Sequence, residues 1–375
     1  MKIGVLGAGQ LGRMLALAGY PLDMTFSFYD TSGAPSVGLG TVYIDPDDTQ
    51  QELDRFLEQV DLVTYEFEHL PLGLARAVEA RKPLHPSSES LRVCQNRAEE
   101  KALFTELGIP TPRYRLVQSA DELAQAAAEL GCPVVAKSIT EGYDGKGQAV
   151  LRSPAEAQAA WDSIRHPQLI VEAFVEFTRE LSIIAVRSSR GEVAIYPMAE
   201  NNHQAGILRY SIAPAPKLSP DLDAQARNYI HRLLERLGHV GVLTLELFET
   251  ADGLLANEMA PRVHNSGHWT QNGCPTSQFE NHLRAVAGLP LGDCRALAPT
   301  CMINLIGRTG DRQAVLRHDF AHLHLYGKAE RPGRKLGHIN ILADNYEELA
   351  RRVQQCVAEL PEAAPFKCSI AAQNP

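Results

Sequence analysis

The sequence lacks the features of a membrane, secreted or nucleic-acid-binding protein. It has no uninterrupted apolar run that approaches the ~20 residues of a bilayer-spanning helix. Its start passes from a short apolar stretch directly into glycines, without the longer apolar region and cleavage site of a signal peptide. A net charge of −9 offers little general attraction for a phosphate backbone. We therefore expect a cytoplasmic protein with no membrane or nucleic-acid partner.

The sequence also lacks any cysteine pair with the Cys-x-x-Cys spacing of metal and redox motifs. The number of cysteines is odd, which does not suit a framework of disulfides. We predict reduced thiols that are buried or incidental, and we predict no zinc site. The cysteines are Cys94, Cys132, Cys274, Cys294, Cys301, Cys356 and Cys368.

Length and patterning predict more than one domain. The chain of 375 residues exceeds a single compact core, so two or three domains are expected. Up to Ala80, short apolar strands alternate with helical stretches, which is typical of a doubly wound parallel sheet. Pro83–Pro86 marks a boundary, and from Pro299 the pattern changes to short strands and turns.

A glycine motif follows the first predicted strand. Gly7, Gly9 and Gly12 form G-x-G-x-x-G before a helix, and Asp30 ends the next strand. In NAD-binding domains such glycines approach the pyrophosphate and the acidic residue binds ribose. The same glycines also suit a tight turn in a Rossmann-like domain that binds no dinucleotide. The downstream motifs favour this second interpretation, in which the loop is a candidate contact for a substrate phosphate.

A second glycine-rich segment, Gly142–Gly147, follows a predicted strand that carries Lys137. Its glycines allow backbone N–H groups to approach phosphate oxygens, and Lys146 adds positive charge. It is not a Walker loop, because the G-K-[ST] ending and the following helix are missing. A solvated hairpin turn is the alternative. Lys137 favours a nucleotide loop, since a lysine on the strand can reach the inner phosphates of ATP.

Two glutamates are predicted to face each other across a hairpin. A three-residue loop, Ala251–Gly253, pairs Thr250 with Leu254, Phe248 with Ala256 and, further along, Glu246 with Glu258. Like charges directly opposite each other destabilise a sheet, and a divalent cation between them removes that penalty. We predict a magnesium site there, with two independent surface glutamates as the alternative.

Two further segments are rich in polar side chains. Ala260–Gly273 begins two residues after Glu258, and its Arg262 can bind an anion through two parallel hydrogen bonds. The histidines of this segment, His264 and His268, are more often structural than metal ligands in such a context. Arg331–His338 holds four cations if His338 is counted as charged, which fits either a clamp for a substrate phosphate or a basic surface turn.

Together these motifs resemble the 5-(carboxyamino)imidazole ribonucleotide synthase family, ATP-grasp enzymes of purine biosynthesis. The most specific matches are Gly9–Met14, Gly142–Gln148, Asn257–Gly273 and Arg331–His338. The resemblance implies a fold of the α/β and α+β classes with three parts. A Rossmann-like pre-ATP-grasp domain at 1–97 precedes an ATP-grasp domain at 98–297, whose lid spans about 115–180, and a small, mostly β C-terminal domain at 298–375.

The resemblance also implies the reaction, in which bicarbonate attacks the γ-phosphate of ATP to give carboxyphosphate. The exocyclic amine of 5-aminoimidazole ribonucleotide then captures the carboxyl group, directly or as carbon dioxide. ATP and Mg²⁺ are the implied cofactors, the ribonucleotide, bicarbonate and ATP are the implied small-molecule partners, and a homodimer is the implied assembly.

The site residues below are likewise implied by the resemblance. Nucleotide-binding residues would be Arg97, Lys137, Gly142, Tyr143, Asp144, Gly145, Lys146, Gly147, Gln148, Glu172, Ala173, Phe174, Val175, Glu180, His203, Asn257 and Glu258. Residues for the ribonucleotide and carboxyphosphate would be Glu66, Tyr143, Arg262, His264, Asn265, Ser266, Arg334 and Lys335. Asp144, Arg262 and Lys335 would be catalytic, with Asp144 removing a proton from the amine, and Glu246 and Glu258 would hold the metal.

Three alternatives compete with this interpretation. A formate-using transformylase of the same pathway is also ATP-grasp, but it is not expected to carry Asn265–Gly273 as written here. An NAD-dependent dehydrogenase would leave the Gly142–Gly147 segment and the glutamate pair unexplained. A catalytically silent nucleotide-binding protein would not need the full set of charged site residues.

Overall fold

The computed structural model describes residues 1–47, 50–140 and 147–361. The chain begins with a parallel sheet of order β3-β2-β1-β4, as the alternation of strands and helices predicts. Within the described ranges, no helix is both long and apolar enough to cross a bilayer. The elements of this first part are β1 Lys2–Leu6, α1 Gln10–Gly19, β2 Thr25–Asp30, β3 Thr41–Ile44, α2 Gln50–Glu58, β4 Leu62–Tyr65, α3 Leu72–Glu79, α4 Ser88–Gln95 and α5 Arg97–Glu106.

A small antiparallel sheet of order β5-β8-β6-β7 follows, with two helices packed on it. Ser119 accepts a hydrogen bond from the Glu122 N–H and so begins the first of these helices. The elements are β5 Tyr114–Val117, α6 Ala120–Leu130, β6 Val134–Ser138, β7 Gln148–Leu151, α7 Ala157–Ile164 and β8 Leu169–Ala173.

The largest sheet is antiparallel, with the order β14-β13-β9-β11-β12-β15-β17-β16 and with β10 paired to β9. Because β12 pairs with β15, the strands of the C-terminal segment extend the central sheet. The elements are β9 Arg179–Arg187, β10 Val193–Ile195, β11 Ala199–Gln204, β12 Ile207–Ala213, α8 Pro220–Arg236, β13 Gly241–Thr250, β14 Gly253–Ala260, α9 Thr270–Gly273, α10 Gln278–Val286, β15 Thr300–Ile306, α11 Arg312–Leu316, β16 Ala321–Leu325, β17 Lys335–Leu342 and α12 Tyr346–Val357.

The first and central parts share one hydrophobic core. α1 packs against α10, and buried Met14 and Phe28 join the same cluster as Trp269 and Phe279. Apolar side chains that leave water contribute roughly 25 cal/mol per Å² buried, so this shared core fixes the two parts against each other. The site described below lies where these parts meet.

The predicted register of the β13–β14 hairpin is wrong. Thr250 pairs with Gly253 and Phe248 with Leu255, so the loop contains two residues instead of three. A bulge then corrects the offset, because Asn257 and Glu258 together stand opposite Glu246. A bulge of this kind places two residues of one strand against one of its partner and bends the strand. The glutamates consequently still reach one cavity.

Candidate active site

A cavity of about 540 Å³ lies between the end of β4, the start of α5, the β13–β14 hairpin and the start of β17. It brings together eight of the residues that the resemblance implies. These are Arg97, His203, Glu246, Glu258, Arg262, His264, Asn265 and Lys335. The cavity is also lined by fourteen residues that were not predicted as site residues from the sequence. Among them are Gln10, Glu68, Cys94, Glu100, His268 and Tyr326.

The first glycine loop binds a carboxylate of the protein itself. Glu66, just past β4, is buried and accepts hydrogen bonds from the N–H groups of Gly9 and Gly12, the latter at 2.6 Å. These N–H groups open α1 at the position where a dinucleotide fold holds pyrophosphate. Asp30 accepts from the N–H and hydroxyl of Ser32. Glu66 thereby occupies the N–H groups that a pyrophosphate would need, which counts against the dehydrogenase alternative.

Glu66 does not line the cavity, although the resemblance implies that it contacts substrate. Burial raises the pKa of its carboxyl, and the N–H groups of Gly12 and Gly9 oppose that shift. A Cβ on Gly9 would lie 2.8 Å from Glu66 Oε1, which is closer than real side chains approach. Glycine is therefore required here by the close approach of Glu66 to the loop.

Glu246, on β13, is ionised in the cavity wall. His264 Nε2 lies 3.1 Å from its Oε1. Burial acts to raise the pKa of Glu246, but the hydrogen bond and charge of His264, with His203 and Lys335, lower it to about 2. A carboxylate that stays charged among cationic groups is a suitable oxygen ligand for Mg²⁺.

Glu100, on α5, is a buried carboxyl that the sequence analysis missed. It lines the cavity and accepts the Met259 N–H at 2.6 Å. Burial raises its pKa to about 8, and the neighbouring Glu258 adds to the shift, whereas Lys101 opposes it. Glu100 and Glu258 therefore lie close enough in the cavity wall for their charges to interact. No sequence signal identifies Glu100, because it lies on a helix far from the hairpin in sequence.

Arg262 forms a two-point ion pair with Glu68. Its Nε and Nη2 donate to the two carboxylate oxygens, with 2.7 Å from Nη2 to Oε1. Burial acts to raise the pKa of Glu68, but the charge and hydrogen bonds of Arg262 lower it to about 2. The guanidinium of Arg262, which was predicted to bind an anion, therefore pairs with a carboxylate of the protein. Glu68 lies two residues after Glu66, and this spacing is the sequence signal that could have identified it as a site residue.

Lys137, on β6, shares one carboxylate with a second lysine. Glu172 Oε2 lies 2.5 Å from Lys137 Nζ, and its Oε1 lies 2.9 Å from Lys101 Nζ. Burial acts to raise the pKa of Glu172, and the two lysines together lower it to about 2. Arg97, at the start of α5, contacts the end of β6, because its guanidinium donates to the Ser138 carbonyl at 2.8 Å.

Glu180, His203 and Ser266, which the resemblance also implies, form hydrogen bonds close to the hairpin. His203 Nδ1 lies 2.9 Å from Glu180 Oε2. Burial lowers the pKa of His203, but the hydrogen bond to Glu180 and the charge of Glu246 raise it overall. Ser266 accepts from the Ser182 hydroxyl at 2.8 Å and contacts His264 Nδ1 at 2.9 Å.

The basic segment contains fewer cations than its sequence suggests. His338 is buried within β17 and stacks on His324 with ring centroids 4.5 Å apart. Burial lowers its pKa well below the ordinary value, so counting His338 as a cation is wrong. Lys335 lines the cavity, whereas Arg334 donates to the Ala329 carbonyl at 3.2 Å.

Part of the predicted nucleotide site lies outside the described residues, namely Gly142, Tyr143, Asp144, Gly145 and Lys146. On the described side, the Ser138 N–H donates to the Gly147 carbonyl at 2.9 Å, and Gln148 begins β7. After β8, Phe174 is exposed. No metal-binding group of three or more His, Cys, Asp or Glu side chains occurs among the residues with described placement.

Three family models match consecutive parts of the chain. The ribonucleotide synthetase preATP-grasp domain matches 1–95, the ATP-grasp domain matches 102–279, and the phosphoribosylaminoimidazole carboxylase C-terminal domain matches 300–352. These matches confirm the expected fold class.

Similar proteins span nearly the whole chain. The N5-carboxyaminoimidazole ribonucleotide synthase of Pseudomonas aeruginosa is 47% identical over 359 residues, which cover 96% of this chain and 99% of that protein. The crystal structure of the synthetase from Thermus thermophilus has a TM-score of 0.93 at 47% identity and covers 97% of this chain and 100% of its own. The Aspergillus clavatus synthase in complex with ADP and 5-aminoimidazole ribonucleotide has a TM-score of 0.88 at 29% identity, with 95% and 97% covered. The chain therefore belongs to the N5-carboxyaminoimidazole ribonucleotide synthase family of ATP-grasp ligases.

Proposed function

We propose that this protein carboxylates the exocyclic amine of 5-aminoimidazole ribonucleotide with bicarbonate and ATP in purine biosynthesis. The observation that carries the proposal is the cavity itself. Its lining combines the carboxylates of Glu246 and Glu258 with the cations Arg262 and Lys335. Such a site can neutralise a nucleotide phosphate through a metal and hold a second anionic reactant beside it.

The chemistry divides into two balanced steps. A bicarbonate oxygen attacks the γ-phosphorus of ATP, the bond to ADP breaks, and carboxyphosphate forms. The amine nitrogen then bonds to the carboxyl carbon, phosphate leaves, and the amine gives up a proton. We assign that proton to Asp144, which lies outside the described residues. Carboxyphosphate reacts readily with water, so the site has to exclude water during this step.

Mg²⁺ would be held by Glu246 and Glu258, with Asn257 beside them on the bulge. The fit rests on the carboxylates of Glu246 and Glu258, which line one cavity and stand opposite each other at the bulge of the hairpin. When bound, the metal would neutralise charge on the nucleotide phosphates. Arg97 and Lys137 would supply the positive charge on the opposite side, and Glu180 with His203 would contact the nucleotide.

The part of the cavity lined by Arg262, His264 and Lys335 would bind bicarbonate, carboxyphosphate and the ribonucleotide. Arg262 and Lys335 provide cationic donors, and His264 bridges toward Glu246 at 3.1 Å. Glu66 would act indirectly, by holding the Gly9–Gly12 loop against the cavity wall where Gln10 lies. We also propose a cytoplasmic homodimer, which sedimentation analysis of the purified protein would test.

A coupled assay of ADP release tests the proposed function directly. We expect release to require both 5-aminoimidazole ribonucleotide and bicarbonate. Omission of either substrate should reduce ADP formation to background. Stimulation by formate and glycinamide ribonucleotide instead would contradict the proposal and support the transformylase alternative.

A further inference from the structure

Lys101, which no sequence motif marks, is buried inside α5 with 1% of its side chain exposed. Its ammonium lies 2.9 Å from Thr111 Oγ1, 3.4 Å from the Ala256 carbonyl and 2.7 Å from the Asn257 carbonyl. The carboxylate of Glu172 lies 2.9 Å away. A buried charge is costly unless it is paired and hydrogen-bonded, so four oxygens around one ammonium identify a built binding position for Lys101.

Two of these contacts, with the carbonyls of Ala256 and Asn257, lie at the bulge of the β13–β14 hairpin. This hairpin carries the proposed metal ligands and is called the metal hairpin below. Between Ala256 and Met259, β14 places two residues opposite Glu246, and the regular ladder of hydrogen bonds is interrupted there. Lys101 donates to carbonyls on one side of this interruption, and Glu100, its neighbour on α5, accepts the Met259 N–H on the other. α5 therefore binds the segment that carries Glu258 on both sides of the bulge, through Lys101 and Glu100.

The contact of Lys101 with Glu172 connects it to Lys137, the lysine proposed to bind a nucleotide phosphate. Glu172 lies between Lys101 and Lys137, and the three groups carry one net positive charge. Without the Lys101 ammonium, Glu172 would be balanced by Lys137 alone. Lys137 would then be held more tightly to the protein and would offer less charge to a phosphate.

We propose that Lys101 is a positioning residue that couples the metal hairpin to Lys137, so that the nucleotide phosphates and Mg²⁺ bind as one unit. This inference rests on the proposed function, because it requires a nucleotide and a metal in the cavity. Residues that orient metal ligands from behind commonly change metal affinity about 10–100-fold when they are removed. A buried ion pair that served stability alone would not change that coupling.

The test is calorimetric binding of ADP to the purified full-length protein, with and without Mg²⁺. We define magnesium tightening as the ratio of the two dissociation constants. In Lys101→Met the stem remains and the ammonium is removed. We expect magnesium tightening to fall by about tenfold or more, and ADP binding without Mg²⁺ to weaken as well.

Thr111→Val provides a milder variant, because Thr111 accepts from Lys101 and also donates to the Ala256 carbonyl at 2.9 Å. It loosens the hairpin side of the arrangement and leaves the contact of Lys101 with Glu172. We expect reduced magnesium tightening but unchanged binding of ADP without Mg²⁺. Urea unfolding and circular dichroism at the titration temperature establish that each variant is folded.

Lys82→Met is the matched control. Lys82 also donates to a backbone carbonyl, that of Val60 at 2.8 Å, but it lies outside the cavity wall. Its magnesium tightening should equal that of the wild type. Unchanged tightening in folded Lys101→Met, or an equal loss in Lys82→Met, would overturn the inference. If Lys101→Met does not fold, unchanged tightening in Thr111→Val overturns it. A wild-type protein that binds no ADP would contradict the proposed function as well.

Discussion

The guanidinium of Arg262 and the carboxylate of Glu68 form a two-point ion pair inside the cavity wall, 194 residues apart in the chain. The pair joins the end of β4 to the segment that follows β14. It fixes the plane of the guanidinium where the proposed reaction needs a cation. Arg262 therefore depends for its orientation on a residue of the first part of the molecule.

Glu68→Gln should lower kcat/KM for the carboxylation by about tenfold or more, because Arg262 loses its charged partner and its fixed orientation. Steady-state kinetics with varied bicarbonate and ribonucleotide would measure the change. Glu106→Gln is the matched control, since Glu106 forms a similar but exposed two-point pair with Arg236. Equal kinetics for wild type and Glu68→Gln would contradict the role of the pair.

Glu258→Gln should remove the effect of Mg²⁺ on nucleotide binding and reduce turnover by about 100-fold or more, because a neutral amide is a poorer ligand than a carboxylate. The free energy of unfolding should change little. Asp252→Asn, in the exposed turn of the same hairpin, should keep wild-type turnover and Mg²⁺ dependence. Wild-type turnover in Glu258→Gln would exclude Glu258 from the metal site.

Gly9→Ala should destabilise the protein by about 1–3 kcal/mol, because the new Cβ meets the Glu66 carboxylate that binds the loop. Gly73→Ala is a control of the same chemistry on α3, where a Cβ meets nothing within 4 Å. There alanine should stabilise by about 0.5 kcal/mol through its helix propensity. Urea unfolding at neutral pH measures both changes, and equal effects of the two substitutions would count against the Glu66 contact.

Acid should weaken the contact between the first and central parts. Thr64 Oγ1 lies 2.8 Å from His282 Nε2, and Ser90 Oγ lies 3.1 Å from His239 Nδ1. Burial lowers the pKa of His239 to about 4 and that of His282 to about 3, from an ordinary value of 6.5. The unfolded chain therefore takes up protons on these imidazoles below pH 6.5, while the folded protein does not until near pH 4.

On these two imidazoles the unfolded state binds more protons in this window, so their contribution to the free energy of unfolding should fall as the pH decreases. The raised pKa of Glu100 acts in the opposite direction, so the effect of the histidines is measured as a difference between variants. Urea unfolding at about pH 7.5 and about pH 5 would measure the slope. In His282→Gln one of the two groups is absent, so the slope should be shallower whatever the stability at neutral pH. An unchanged slope in that variant would show that His282 does not contribute.

Local patterns were sufficient for much of the fold. The alternation of strands and helices predicted the parallel sheet, and the strand predicted to carry Lys137 is β6. Such features depend on neighbours within a few residues, which is why the sequence can reveal them.

The sequence by itself determined which residue types were available for the chemistry, including Glu246, Glu258, Arg262 and Lys335. Tertiary structure decided how they meet. The hairpin register differs from the predicted one, and a bulge in β14, bound by Lys101 and Glu100 of α5, brings Glu258 opposite Glu246. Burial removed the charge of His338, and packing of distant elements supplied Glu68. Register, burial and ion pairing depend on groups far apart in the chain, so only the folded molecule specifies them.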